Sequence, residues 1–391
     1  MAVQTPTSCK VALAPFPLLA EPSTYKAGTF EYYSNCSRDP QQPVEFSHWI
    51  EVFRKSLPTF KSHAQRDESI PASEREAKAE QFAADFAAAL DALLANPRQE
   101  LPGFRAQPVS CASLCHVREQ CLHNAGFVDI FKAVKQTEDE AALQLLPQVL
   151  QMLDQQPNAT AALNAALRGV FAGNIFDLGA AASAHRYESG QGAGFHCALE
   201  QLLPRPWVVD DLDAVLDRFR AQPYRKALLF VDNAGADVLL GMLPFARELT
   251  KLGTQVILAA NNGATINDIT AAELAPLVAA AAAQDALLGQ AWGSGQLRVM
   301  NSGNDLPVID LREVSAELAA EAADADLLVL EGMGRAIETN LTAKFTVDSL
   351  KLGMVKHPEV AACLGGRLYD VVCKFDAAGT VKSLQQNAAL N

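Results

Sequence analysis

Two polar residues side by side, Asp232 and Asn233, follow directly on the apolar run Lys226–Val231. A carboxylate and a carboxamide at the end of a buried strand can both turn into a crevice, and such oxygen ligands suit Mg²⁺ or Mn²⁺. Asp268, after the next apolar run, completes a three-oxygen face that leaves positions for water and phosphate. Helix capping and turn formation compete with that reading, since Asp and Asn favour both. A second cluster, Glu331-Gly332-Met333-Gly334-Arg335, follows the run Leu327–Leu330. Its glycines let the backbone approach an anion closely. Arg335 has the forked geometry to grip two phosphate oxygens.

The elements that must position these residues come from the second half of the chain. Lys226–Val231, Gln255–Ala260, Leu297–Met300, Leu327–Leu330 and Leu368–Phe375 read as strands, and all but the last end in Gly, Asn or Asp clusters. Strands alternating with helices predict an α/β fold, a mostly parallel sheet covered on both faces. In such sheets the ligand crevice lies beyond the carboxyl ends of the strands. Earlier in the chain the pattern is helical: Phe82, Phe86, Leu90 and Leu93 share one face at spacings of four, four and three. Residues 1–70, rich in Pro, Ser and aromatics, read as an extended arm packed on the body. The expected division is therefore arm 1–70, helical domain 71–200 and α/β domain 201–391.

The charge balance excludes several functions. With 32 basic and 45 acidic side chains the net charge is −13, and no Lys/Arg tract offsets it, which argues against nucleic-acid or anionic-membrane partners. The apolar stretch Val11–Ala20 is broken by Pro15 and Pro17 and falls short of the roughly 18 to 20 residues a span needs. Eight cysteines scattered through 391 residues favour reduced thiols and a cytoplasmic setting. Cys111, Cys115, His116, Cys121 and His123 lack the paired spacing of structural zinc sites and read as core residues. Gly190, Gly192 and Gly194 read as a loop, and no phosphate-loop lysine motif is present. His185, His196 and His357 read as structural or surface histidines.

Taken with Gly173-Asn174-Ile175-Phe176-Asp177, Ser302-Gly303-Asn304-Asp305-Leu306-Pro307 and Lys356-His357-Pro358-Glu359, the two strand-end clusters resemble the damage-control phosphatase family, once catalogued as domain of unknown function 89. The resemblance covers nearly the whole chain. It implies a Rossmann-like three-layer αβα sandwich joined to an N-terminal helical domain. It also implies one divalent ion (Mn²⁺, Co²⁺, Ni²⁺ or Mg²⁺) on Asp232, Asn233 and Asp268. The pentapeptide would line the substrate cleft. The implied substrate is a small phosphorylated metabolite, 4′-phosphopantetheine or its oxidised forms; sugar phosphates and a catalytically idle coenzyme A-precursor module are the alternatives. Beside the resemblance, Asp237 is placed one helical turn beyond Asn233 to orient or deprotonate a water, with direct carboxylate attack the competing route. Lys374 is a second candidate cation, and Asn174 and Asp177 are candidates for a substrate wall.

Overall fold

The computed structural model describes residues 11–33, 35–39, 41, 43–99, 101, 109–175 and 194–378. Its strands are β1 (Leu13–Ala14), β2 (Val209–Asp210), β3 (Lys226–Phe230), β4 (Gln255–Ala260), β5 (Leu297–Asn301), β6 (Val314–Ser315), β7 (Leu327–Glu331), β8 (Asp348–Met354) and β9 (Val371–Asp376). Seven of them build a central sheet in the order β2-β9-β8-β7-β3-β4-β5. The block from β8 to β5 is parallel, and β9 runs antiparallel to β8. Strands β1 and β6 form a separate antiparallel pair. The expected α/β class and mostly parallel sheet hold.

Side chains alternate across the sheet, as the two-residue period of a strand dictates. Leu228, Phe230, Ile257, Ala259, Leu328 and Leu330 join one apolar core; Ala227, Leu229, Val256, Leu258, Leu327 and Val329 join the other. Helices α1 (Phe46–Arg66), α2 (Ala72–Ala95) and α3 (Cys111–Asn124) belong to the first core. Helices α4 (Lys132–Asp154) and α5 (Ala159–Asn174) belong to the second. The two cores therefore cut across the expected boundary at 200: the helical region is divided between the two faces of the sheet.

The arm needs correcting too. Residues 46–66 form a 21-residue helix with Pro58 inside it. A proline in a helix interior costs about 3 kcal/mol. Here Trp49, Ile50, Phe53, Phe60 and Ala64 all face inward; burying one large apolar side chain contributes about 1.5 to 3 kcal/mol, so the stripe outweighs the proline. The thiols also depart from expectation. Cys36 is disulfide-bonded to Cys363, 327 residues away, while Cys111, Cys115, Cys121, Cys197 and Cys373 are free. Pairing across such a separation leaves no trace in local spacing. No helix among the described residues is long and apolar enough to cross a membrane.

Candidate active site and metal centre

Strand order reverses on either side of β3 and β7, the topological switch point where α/β sheets open a crevice. The chain leaving β3 is clipped to the segment 261–270: Ala234 N–H donates to Asn267 O (2.9 Å) and Ile269 N–H to Asp232 O (3.0 Å). Asn233 and Asp268 face each other as an antiparallel bridge. A π-helix, Asp237–Met242, begins immediately afterwards. A second π-helix, Met333–Glu338, follows β7 and carries Arg335. Helix α5 packs against the first so closely that a Cβ on Gly173 would lie 2.8 Å from Ala236 O. That contact delivers Asn174 to the crevice.

Asp232, Asp237 and Glu331, all buried, offer ligand atoms within 4.8 Å of one another. Asn174 Nδ2 donates to all three, at 3.3 Å to Asp232, 2.9 Å to Asp237 and 2.6 Å to Glu331. Its orientation is set by Met354 N–H, which donates to Asn174 Oδ1 (3.1 Å). Asn233 Nδ2 bridges Asp232 (3.0 Å) and Asp237 (2.7 Å). Asp232 N–H donates to Glu331 Oε2 (2.9 Å). On the other side, the fully buried Arg335 donates to Asp232 and, at 2.5 Å, to Asp268. It also donates to Asn261 Oδ1 (2.8 Å).

The electrostatics are those of a cation site. Burial pushes the Asp232 carboxyl well up, with Arg335 opposing and Asp268 adding to the rise. Burial does the same to Glu331, helped by Asp237 and Asp232. Asp237 is raised by burial against the pull of Lys356. For Arg335, burial disfavours the charge, but Asp268 and Asp232 outweigh it and its pKa rises. A divalent ion among these carboxyls would favour their charged forms, which burial by itself disfavours.

The unpaired atoms fit such an ion. Asp237 Oδ2 accepts from Asn233 N–H as well as from both amides, yet its Oδ1 is buried with no hydrogen-bond partner among the described residues. Asn233 Oδ1 is in the same state. Buried oxygens are rarely left so, and hard oxygen donors are what Mg²⁺ and Mn²⁺ take. The sequence-based set Asp232, Asn233 and Asp268 is brought together, with Arg335 between its two carboxylates. Asp237 and Glu331 sit closer to Asp232 than that set foresaw.

Asp232 also lines a cleft whose wall includes Tyr32, Trp49, Phe53, Arg118, Val308, Met333, Gly334, Glu338 and His357. Met333 and Gly334, from the pentapeptide, line this cleft. Gly332, at φ +105°, takes a conformation that disfavours other residues, and a Cβ there would lie 2.3 Å from the Asp232 carboxyl carbon. Gly332→Ala is therefore expected to lower kcat/KM by about 10²-fold or more through displacement of Asp232. Steady-state kinetics beside a thermal melt check this, and wild-type activity would count against it.

Lys374 is a correction. Its Nζ donates to Leu341 O (2.7 Å) and pairs with Asp376 (3.2 Å). Because β9 is antiparallel, its first residue, Val371, pairs with Met354 at the active edge, and Lys374 pairs with Lys351 further down. Three residues of strand place it about 10 Å from that edge. Asp177 lies outside the described residues. Lys356, buried at the end of β8, was missed because β8, with Lys351 and Gly353 inside it, lacks the pattern of a buried strand. Asn261 and the wall residues Tyr32, Trp49 and Arg118 were missed as well. The Asn261-Asn262 pair ending β4 was the available signal for the first.

Comparison with known proteins shows the family. The model of the damage-control phosphatase ARMT1-like domain matches residues 52–372. The chain is 47% identical over 370 residues to "Damage-control phosphatase At2g17340" of Arabidopsis thaliana, covering 93% of this chain and 97% of that protein. It is 32% identical to the "4′-phosphopantetheine phosphatase" of Mus musculus, covering 93% of this chain but only 48% of that longer protein. A crystal structure of a DUF89-family protein from Pyrococcus horikoshii superposes with a TM-score of 0.56 at 18% identity, covering 83% of this chain and 96% of that one. The chain therefore belongs to the ARMT1-like damage-control phosphatase family.

Proposed function

We propose that this chain hydrolyses the phosphomonoester of an elongated metabolite, 4′-phosphopantetheine or an oxidised form of it, to the free alcohol and phosphate. The observation that carries this reading is the unpaired Asn233 Oδ1 and Asp237 Oδ1, buried beside Asp232, which itself lines an aromatic-walled cleft. Asp232, Asn233 and Asp268 would hold the divalent cation, with Asp237 and Glu331 within reach. Mn²⁺, Co²⁺, Ni²⁺ and Mg²⁺ all suit such oxygen-rich ligands. When bound, the ion supplies polarisation of the phosphoryl group.

The remaining work falls to the chain's own groups. Arg335 keeps Asp232 and Asp268 side by side. Asn174 and Asn233 keep Asp232 and Asp237 in register through the shared amide hydrogen bonds. With the ion held by Asp232, Asn233 and Asp268, the unpaired Asp237 Oδ1 would accept the proton of the attacking water as that water's oxygen bonds to phosphorus. The ester P–O bond breaks, and the departing alkoxide takes up a proton from the solvent in the cleft. Trp49, Val52, Phe53 and Val308 give the cleft an apolar side that suits an extended arm, beside the polar Ser56, Arg118, Glu338 and His357. The printed name of the mouse relative supports the same substrate.

Phosphate release is the test, using metal-stripped protein reloaded with each of the four ions. The panel is 4′-phosphopantetheine, its sulfonate, fructose 1-phosphate and p-nitrophenyl phosphate. The pantetheine esters are expected to exceed fructose 1-phosphate by about tenfold or more in kcat/KM, roughly 1.4 kcal/mol of discrimination. Equal or better turnover of the sugar phosphate would replace this reading with the sugar-phosphate one. Binding without release from any ester would make the chain an idle binding module.

A further inference from the structure

Two charged residues that the proposed hydrolysis does not use lie one turn apart on the buried side of α4. Lys135 is 1% exposed and Asp139 is 7% exposed, and residues four apart share one face of a helix. Asp139 Oδ1 accepts from Gly235 N–H at 2.7 Å, in the turn between Asn233 and Asp237. Gly235 has φ +70°, and a Cβ there would lie 2.8 Å from Glu138 Cβ, so α4 touches this turn directly. Lys135 reaches the facing segment. Its Nζ pairs with Glu273 Oε1 (2.8 Å) and Asp129 Oδ2 (3.0 Å) and lies 3.5 Å from Asp268 O. Glu273 in turn accepts from the N–H (3.0 Å) and the hydroxyl (2.7 Å) of Thr270, two residues beyond Asp268. Burial opposes the Lys135 charge, but Asp129 and Glu273 outweigh it and raise its pKa, so the ammonium stays charged.

One helix therefore holds both segments that carry the proposed ion ligands: Asp232 and Asn233 on one, Asp268 on the other. The ligands do not hold one another unaided, because Asp268 disfavours the charged form of Asp232. Groups that fix metal ligands from behind commonly account for 10- to 100-fold in metal affinity. The reason is preorganisation: an ion that meets ligands already in place loses less free energy to ordering them. We infer that Lys135 and Asp139 are positioning residues, and that α4 is a brace fixing the separation of the 232–237 and 268–270 segments and so setting the affinity of the site for its divalent ion. Neither residue lines the cleft. The inference rests on the reading of Asp232, Asn233 and Asp268 as ligands of that ion, and it extends the site to residues that act only through them.

Calorimetric titration of the metal-stripped full chain with Mn²⁺ tests it, beside a thermal melt in chelator that reads the fold by itself. Asp139→Ala removes the acceptor for Gly235 N–H, and Asp139→Asn keeps an oxygen there. Lys135→Met keeps the aliphatic stem and removes the charge. Asp139→Ala and Lys135→Met should each weaken Mn²⁺ binding by about 10- to 100-fold. Asp139→Asn should bind within about threefold of wild type, since the hydrogen bond survives. Unchanged Mn²⁺ affinity in Asp139→Ala or in Lys135→Met overturns the inference, and a lowered melting temperature alone would mark a purely structural role. Asp139→Asn binding as weakly as Asp139→Ala overturns it as well. If Lys135→Met does not fold, because Asp129 and Glu273 lose their partner, the two Asp139 variants decide. Unchanged affinity in the variants leaves the metal reading of the site intact. A wild-type chain that binds no Mn²⁺ ends that reading, and the inference falls with it.

Discussion

Asp232→Ala is expected to lower kcat/KM by about 10³-fold or more, and excess divalent ion should recover little of it. Asp232 is the residue on which the site converges: it accepts from Asn174, Asn233 and Arg335, and its backbone N–H donates to Glu331. Its removal takes away a charged ligand where transition-state charge must be offset. It should not unfold the protein, because Arg335 keeps Asp268 and Asn261 as partners. A metal titration, initial rates and a thermal melt on the same preparation separate these effects. Substantial activity at saturating metal would remove Asp232 from the centre of the mechanism.

Arg335→Ala should fail by a different route. The sequence suggests a phosphate grip clear of the metal ligands, whereas the structure inserts this guanidinium between Asp232 and Asp268. Deleting one partner of a buried pair leaves uncompensated charge, typically a loss of about 3–5 kcal/mol. In chelator the variant should therefore melt several degrees below wild type. A divalent ion should restore part of that difference, since it supplies the missing positive charge to the same carboxylates. Activity should fall on the order of 10²-fold in kcat/KM, about 2 to 3 kcal/mol. An unchanged melting temperature in chelator would show that the pair contributes nothing to the fold.

The floor of the site was legible in the sequence and the wall was not, for a physical reason. Asp232, Asn233 and Glu331 each end a run of apolar residues, and a buried strand that stops in a carboxylate leaves few readings. Asn174 was visible only as a helix-end residue; that it reaches three carboxylates depends on how α5 meets the π-helix, which no local pattern encodes. Trp49 was hidden because Pro58 and the surrounding serines disguise the helix that carries it, and Tyr32 lies outside any regular element. Lys374 misled because strand direction is not written in a strand's composition. A cation on a parallel β9 would have pointed nearer the crevice.

The two π-helices have a consequence for insertions and deletions. A π-helix closes each hydrogen-bonded turn with one residue more than an α-helix, so each segment carries a residue that the straighter helix would not hold. Losing one residue between 238 and 242 would let the chain relax into an ordinary helix continuous with Leu243–Lys251. The residues on either side would keep their faces, because the residue lost is the one in excess of an α turn. The same deletion in a regular helix of this protein would turn the flanking residues by about 100° relative to each other. Asp237 should therefore keep Asn174 and Asn233 as partners after a deletion here, and the segment should tolerate a loss that other helices would not.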